Sequence, residues 1–202
     1  EGYYNSLVRL DGTRAVAGIY DKHHLVPFGE YIPYANLFSQ IGLSAIANAV
    51  PGGMTAGPGP QLMPFGALGT AVPLICYEAI FPRDIRGAKG RADMILQLTN
   101  DAWFGTFSGP QQHLVHARFR AIEFGLPLAR AANTGISAMI DAKGNVTAAL
   151  PLNEAGFLDA ALPAPLPPTV YARIGDLPFI VALSALFAGL LAFARRKSVD
   201  PV

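Results

Sequence analysis

The sequence predicts a layered α/β domain followed by a single membrane-spanning helix, and three observations carry the prediction. Two nearly uninterrupted apolar runs, Ala67 to Cys76 and Met94 to Thr99, read as strands buried on both faces. A helical stretch, Pro110 to Phe124, and further strand-like runs follow, so strands and helices alternate as they do when helices cover a sheet. Leu177 to Ala194 then offers 18 residues without a charge, at the lower end of what crosses a bilayer as a helix.

In chain order, the first element is a hairpin. Leu7 to Leu10 and Ala15 to Tyr20 flank Asp11-Gly12-Thr13, whose turn chemistry joins antiparallel strands. Asp21 to Pro33 is a polar and aromatic loop punctuated by Pro27, Gly29 and Pro33. Residues 34–64 mix small and apolar side chains with Pro51-Gly52-Gly53 and Gly57-Pro58-Gly59-Pro60, without a period of two. A connection of that length serves as a lid, a binding loop or a mobile segment. Its apolar part, Leu37 to Val50, is either a ledge resting on lipid or an ordinary surface loop with one short helix.

After the two buried strands, Pro110 suits the first turn of a helix, and Leu114, Ala117, Ala121 and Ile122 make one face of it. Gly125-Leu126-Pro127 stops it. Leu128 to Ala131, Ser137 to Asp141 and Val146 to Leu150 read as strands, the last two joined by the turn Asp141-Ala142-Lys143-Gly144-Asn145. A proline-rich spacer leads to the apolar helix. Arg195-Arg196-Lys197 follow that helix, against only Arg173 and Asp176 before it, so the positive-inside rule puts the C-terminus in the cytoplasm and the domain on the far side. A core helix of a soluble protein is the weaker reading, given the terminal position and the abrupt basic stop. The chain divides into a domain (1–161), a spacer (162–176), a transmembrane helix (177–194) and a tail (195–202). Glu1-Gly2-Tyr3-Tyr4-Asn5 shows neither an initiator methionine nor a signal sequence, and a domain outside the membrane needs an export signal. The expectation is a C-terminal piece of a longer chain.

Composition narrows the function classes. Only 14% of the 202 residues are charged, against about 25% for an average soluble domain. Fifteen basic and 14 acidic residues, with no basic stripe, argue against nucleic acid, whose binding rests on neutralising phosphates. Without the tail, 12 basic and 13 acidic residues remain. A single cysteine excludes an internal disulfide and a cysteine zinc cage. His23 and His24 are adjacent, so their side chains are expected to diverge, and His113 with His116 lack a third ligand, so no metal is expected. Arg118, Arg120 and Glu123 read as ion pairs. No G-x-S-x-G elbow or phosphate loop occurs.

The cysteine is well placed. Cys76 ends a buried strand and is followed by Tyr77-Glu78, with a short helix able to start at Phe81-Pro82-Arg83-Asp84. Such an elbow exposes a side chain at the carboxyl edge of a sheet, where α/β ligand sites gather, and aims backbone N–H groups at the ligand. A thiol there can be ionised by a neighbouring cation and attack a carbonyl, although free cysteines are more often buried and inert. Lys22 closes another strand, with Glu30 eight residues on. Asn100-Asp101-Ala102-Trp103 follows a third, with Trp103 either lining a site or packed in the core.

Tyr20 to Pro33 (Tyr-Asp-Lys-His-His-Leu-Val-Pro-Phe-Gly-Glu-Tyr-Ile-Pro), Ile75-Cys76-Tyr77-Glu78, Thr99 to Gly105 with Gly109 to His113, and Asn133-Thr134-Gly135-Ile136-Ser137 together resemble the apolipoprotein N-acyltransferases, a membrane branch of the nitrilase (carbon–nitrogen hydrolase) superfamily. The resemblance implies a nitrilase-like α-β-β-α sandwich, incomplete at its N-terminus, and a Glu-Lys-Cys triad. Cys76 would be the nucleophile and Lys22 the cation beside thiolate and oxyanion. The Tyr77 N–H would be a second oxyanion donor, Glu30 and Glu78 additional catalytic carboxylates, and Asn100 and Trp103 would line the substrate. The general-base glutamate precedes the lysine by more than the 21 residues available, so the piece alone is expected to be inactive. No cofactor is implied. The partners would be a phospholipid acyl donor, a diacylglyceryl lipoprotein acceptor and the membrane, with the domain in the periplasm of a bacterial inner membrane. A membrane-tethered amidase releasing its acyl group to water, and a catalytically inactive binding module, are the alternatives.

Overall fold

A computed structural model of the chain describes residues 2–47, 50 and 53–197, the side chains of 46, 47 and 195–197 excepted. Glu1, Asn48, Ala49, Pro51, Gly52, the tail from Ser198 and the three basic side chains on which the expected orientation rests lie outside the described residues. β1 (Ser6–Leu10) and β2 (Val16–Asp21) pair antiparallel in a two-stranded ribbon. Asp11 closes their turn, its Oδ1 accepting the N–H groups of Thr13 and Ala15. Two short helices, α1 (Ala35–Gln40) and α2 (Ser44–Ala47), occupy the long connection, where one was expected. α1 buries none of its side chains.

A six-stranded sheet makes the body of the domain, in the order β3 (Met63–Pro64), β4 (Thr70–Ile75), β5 (Met94–Asn100), β6 (Leu128–Asn133), β7 (Ser137–Ile140) and β8 (Val146–Leu150). β4, β5 and β6 are parallel; the flanking pairs are antiparallel. The register Ile75↔Leu98 and Asn100↔Asn133 brings the carboxyl ends of the three parallel strands to one edge. Between strands lie α3 (Pro82–Arg86) and α4 (Gly109–Phe124). Gly125, at φ 62°, supplies the left-handed C-cap that ends α4.

Strand alternation sorts the core into two clusters. Val72, Leu74, Ile95, Leu128 and Ile140 face α4 and pack with its Ala117, Ala121 and Phe124. On the opposite face Ile75 meets Leu7, Tyr20 and Met63, with Leu96, Leu98 and Cys76 against them. The layers therefore run helix, six-stranded sheet, ribbon. Each fully buried aliphatic side chain contributes about 1.5–3 kcal/mol relative to exposure. The expected face of α4 is corrected in two places. His113 and Arg120 are buried in it, whereas Ile122 is exposed. The polar pair is accommodated because each finds partners: Arg120 donates to the Ile80 carbonyl and pairs with Glu123 at 2.8 Å.

Residues 162–176 are tied to the domain. Leu166 N–H donates to Gly125 O at 2.9 Å, Arg91 to the Leu166 carbonyl and the Thr169 hydroxyl to the Glu123 carbonyl. Thr169 then caps α5 (Val170–Ile174), accepting from Ala172 N–H at 3.0 Å. α6 (Leu177–Lys197) carries the charge-free segment, of mean hydropathy 2.3, and that segment buries nothing against the domain. Length and composition suit a membrane span.

Candidate active site

The strand β4 ends at Ile75, and Cys76 adopts φ 52°, a left-handed conformation that side chains other than glycine rarely take. Cys76 opens a 3₁₀ turn to Ile80 that runs on into α3. The turn is sharp because the backbone is strained at this one residue, and the half-buried thiol is left at the carboxyl edge of the sheet.

Two residues on, Glu78 is fully buried and every side of its carboxylate is occupied. Oε2 accepts Ile75 N–H at 2.7 Å, while Oε1 accepts His23 N–H at 2.9 Å and His24 N–H at 3.2 Å. His23 Nδ1 lies 2.8 Å from the same Oε1. The acid thus ties the loop just after Lys22 to the turn that bears Cys76. Sequence reasoning listed it among the catalytic carboxylates; the structure gives it four protein donors.

Lys22 follows β2 directly and its side chain is 1% exposed. Its Nζ sits 2.6 Å from Glu30 Oε2, and Glu30 also accepts from Val26 N–H at 2.8 Å and Asn5 Nδ2 at 3.1 Å. Partial burial pushes the Glu30 carboxyl up, but the hydrogen bond from Lys22, the Val26 N–H and the Lys22 charge outweigh it and hold the group below the usual carboxylate range.

The expected divergence of His23 and His24 does not occur. The irregular backbone wraps around Asp84, which sits 2.8 Å from His24 Nδ1 and 3.5 Å from His23 Nε2. Burial alone would lower the His23 pKa; hydrogen bonds to Asp84 and Glu78, with their charges, instead raise it to about 9. The Tyr20 hydroxyl, 2.9 Å from His23 Nδ1, is pushed well above the ordinary tyrosine range by burial and by the charge of Glu78.

Cys76, Tyr77, Glu78, Lys22 and Glu30 therefore belong to one connected group. Asn100 stands at the end of the next strand, where its Oδ1 accepts Ala102 N–H and Asn133 Nδ2, each at 3.1 Å. Trp103 is 84% exposed, so the core alternative for it is overturned: the turn Asp101–Phe104 turns the indole outward, beyond the sheet edge. The Tyr77 ring lies edge-on to those of His24 and Phe81.

Sequence reasoning missed Tyr20 and Asp84, and also a second buried polar group behind the elbow, built from Gln97, Asp101, His113 and Arg130. Arg130 donates to Gln97 Oε1 at 2.8 Å and to Asp101 Oδ2, and His113 Nδ1 is 2.8 Å from Asp101 Oδ1. Gly135 packs against this carboxylate so closely that a Cβ would come within 2.3 Å of Oδ2. The available signal was that Gln97 and Arg130 each interrupt an apolar strand at an inward position.

A family model described as carbon–nitrogen hydrolase matches residues 1–166. The chain is 50% identical over 195 residues to an apolipoprotein N-acyltransferase of Bradyrhizobium diazoefficiens and 49% identical over 194 residues to that of Rhodopseudomonas palustris. Each alignment covers 96% of this chain and 36% of the relative, so the chain spans about a third of those proteins' length. Among solved structures, an amidase from Nesterenkonia sp. AN1 matches with TM-score 0.51 at 22% identity, over 71% of this chain and 51% of its own. XC1258 of Xanthomonas campestris, a CN-hydrolase superfamily protein, matches with TM-score 0.53 at 20% identity, over 76% of this chain and 55% of its own. At that identity the two structures speak for the fold, and the family model for the sequence. That model spans more than half of the sequence, and the chain belongs to the carbon–nitrogen hydrolase family.

Proposed function

We propose that the chain carries the thiol chemistry of an apolipoprotein N-acyltransferase. The observation that carries the reading is a lone cysteine on a strained elbow, clamped through Glu78 to the loop that holds buried Lys22 against Glu30. A carboxylate base, expected ahead of Lys22 in the full-length protein, takes the Cys76 proton. The thiolate attacks the sn-1 ester carbonyl of a phospholipid, and the Lys22 ammonium and Tyr77 N–H hold the developing oxyanion. Loss of one such donor typically costs about 3–4 kcal/mol. Collapse breaks the ester C–O bond, the lysophospholipid alkoxide takes a proton and leaves, and a thioester remains on Cys76. The free α-amine of a diacylglyceryl-cysteine lipoprotein then attacks. The C–S bond breaks as the amide forms, and the base takes the amine's proton and passes it to the departing Cys76 thiolate. Glu30 holds the ammonium in place.

Both substrates carry acyl chains worth about 0.8 kcal/mol per buried CH₂, so neither leaves a bilayer readily. That agrees with α6 as a membrane anchor, C-terminus in the cytoplasm and domain in the periplasm. Exposed Phe28, Trp103 and Phe107 near the same edge suit contact with lipid chains.

The test is intact-mass analysis of the full-length enzyme with phospholipid vesicles. A Cys76→Ala variant is expected to lose the acyl adduct and all transfer to a diacylglyceryl lipopeptide. Full transfer by that variant refutes the reading. Free fatty acid in place of amide product identifies a hydrolase.

A further inference from the structure

The polar group behind the elbow takes no part in the chemistry above, yet it touches the nucleophile's own backbone. Gln97 and Arg130 are paired across β5 and β6, one step beyond the apolar layer of Ile95 and Leu128. Asp101 follows β5, and His113 reaches in from α4. All four are buried. Burial pushes the Asp101 carboxyl up, but His113 and Arg130 outweigh it, so the group stays ionised. Asp101 Oδ1 also accepts the Thr99 hydroxyl at 3.0 Å.

An ionised Asp101 requires the proton on His113 Nδ1, 2.8 Å away. The other ring nitrogen, Nε2, lies 3.3 Å from the carbonyl oxygen of Cys76 and 3.2 Å from the Gln97 amide nitrogen. Arg130 fixes which way that amide points, because its Nη1 donates to Gln97 Oε1. A proton on Nε2 therefore has one acceptor, the Cys76 carbonyl. The remaining neighbours of the imidazole are the Phe104 ring edge and Arg130 Nη2, 3.4 Å from Nδ1; His116 and Arg120 lie on its own helix.

The Cys76 carbonyl and the Tyr77 N–H belong to one peptide unit. No described peptide bond is cis, and in a trans unit C=O and N–H point in opposite directions. Drawing the oxygen inward to His113 turns the Tyr77 N–H outward, toward the mouth of the elbow. Half a turn of that peptide would instead present a carbonyl dipole to an oxyanion.

We propose that His113, held by Asp101, is a positioning residue that anchors the Cys76 carbonyl and so aims the Tyr77 N–H as an oxyanion donor. The assignment rests on acylation of Cys76, the step proposed above. Arg130 holds Asp101 and Gln97 together, and the Gln97 amide and Arg130 Nη2 both lie against the imidazole, so the ring has one seat.

Two probes of the same sulfur separate this role from a merely structural one in the full-length enzyme. With p-nitrophenyl acetate, a C–S bond forms, p-nitrophenolate leaves, and an oxyanion develops on the way. With iodoacetamide, the thiolate displaces iodide at a saturated carbon and no oxyanion forms. His113→Asn keeps a donor for Asp101 and removes the atom that faces Cys76. Its p-nitrophenolate burst is expected to slow about 100-fold, the usual loss for one oxyanion donor. Alkylation of Cys76, read by peptide mass, is expected to stay within about threefold of the parent, since no donor is used. His113→Gln, whose amide nitrogen reaches the Nε2 position, is expected to recover part of the burst. Should the Asn variant not fold, His113→Leu carries the same expectation.

Equal losses in both reactions, or a burst within threefold of the parent, overturn the assignment. A parent that bursts with the activated ester but never acquires acyl from phospholipid defeats the substrate reading alone, and the variants still decide for or against His113. A parent without any burst overturns Cys76 acylation and the role of His113 together.

Discussion

Replacing Glu78 by Gln tests whether this acid is a clamp or a reagent. The carboxylate takes four donors: Ile75 N–H on one oxygen, and His23 N–H, His24 N–H and His23 Nδ1 on the other. A glutamine accepts with one oxygen only, so its amide nitrogen must confront at least one of these buried donors. The loss of a charge-assisted bond costs about 1.5–3 kcal/mol, and a buried donor left unmatched about 1–3 kcal/mol more. His23 also loses a carboxylate partner. Together these come to about 3–5 kcal/mol, the range found when a buried ion pair is broken from one side. For a domain of this size 1 kcal/mol moves Tm by about 2–4 °C, so Glu78→Gln should melt about 6–20 °C lower. Thermal unfolding of the full-length protein in detergent at pH 7 measures this. Limited proteolysis should show cleavage at residues 22–30 before the rest opens. A variant that melts within 2 °C of the parent while losing acyl transfer would refute the clamp and make Glu78 a participant in the chemistry.

Lys22→Ala leaves Glu30 with the Val26 N–H and Asn5, so the domain should remain folded while acyl-enzyme formation falls by at least about 100-fold, measured by single-turnover mass analysis. His23 titrates near 9 in the folded protein and about 6.5 unfolded. Its contribution, at most about 3 kcal/mol, is complete below pH 6.5 and disappears as pH rises through 9. The denaturant midpoint should fall over that window, and His23→Asn should flatten the profile. Residues 1–202 should float with vesicles, and residues 1–176 should not, if α6 is the anchor.

Much of the architecture could be read from periodicity because the strands alternate or run apolar according to how many faces they bury. β4, β5, the α4 stop at Gly125 and the Asp141–Asn145 turn were legible for that reason, and the turn is closed by Asp141 Oδ1 as its composition requires. The two-residue β3 was not, since two residues have no period. α5 was passed over inside a proline-rich stretch, although Thr169 is a good N-cap. In the candidate site, Cys76 and Lys22 stand out by their positions after strands and Glu30 by the family resemblance, and the structure sets Lys22 and Glu30 2.6 Å apart. Tyr20, Asp84 and the group around His113 were hidden, because their meaning depends on residues 12 to 60 positions apart meeting in space. Along its own helix His113 suggests only His116 as a partner, whereas its contacts come from four other elements.

The thiol and the ammonium stand on separate sheets. Lys22 follows β2 of the ribbon, while Cys76 follows β4 of the six-stranded sheet. What unites them is a small cluster of Leu7, Tyr20, Met63 and Ile75 together with the Glu78 and Asp84 contacts. An opening at this join would part the two side chains while leaving both sheets paired, and is expected at lower free energy than unfolding of the whole. Such a partly undocked state would keep most of its circular dichroism yet separate Lys22 from Cys76, and amide hydrogen exchange in β1 and β2 would reveal it before any melting curve did.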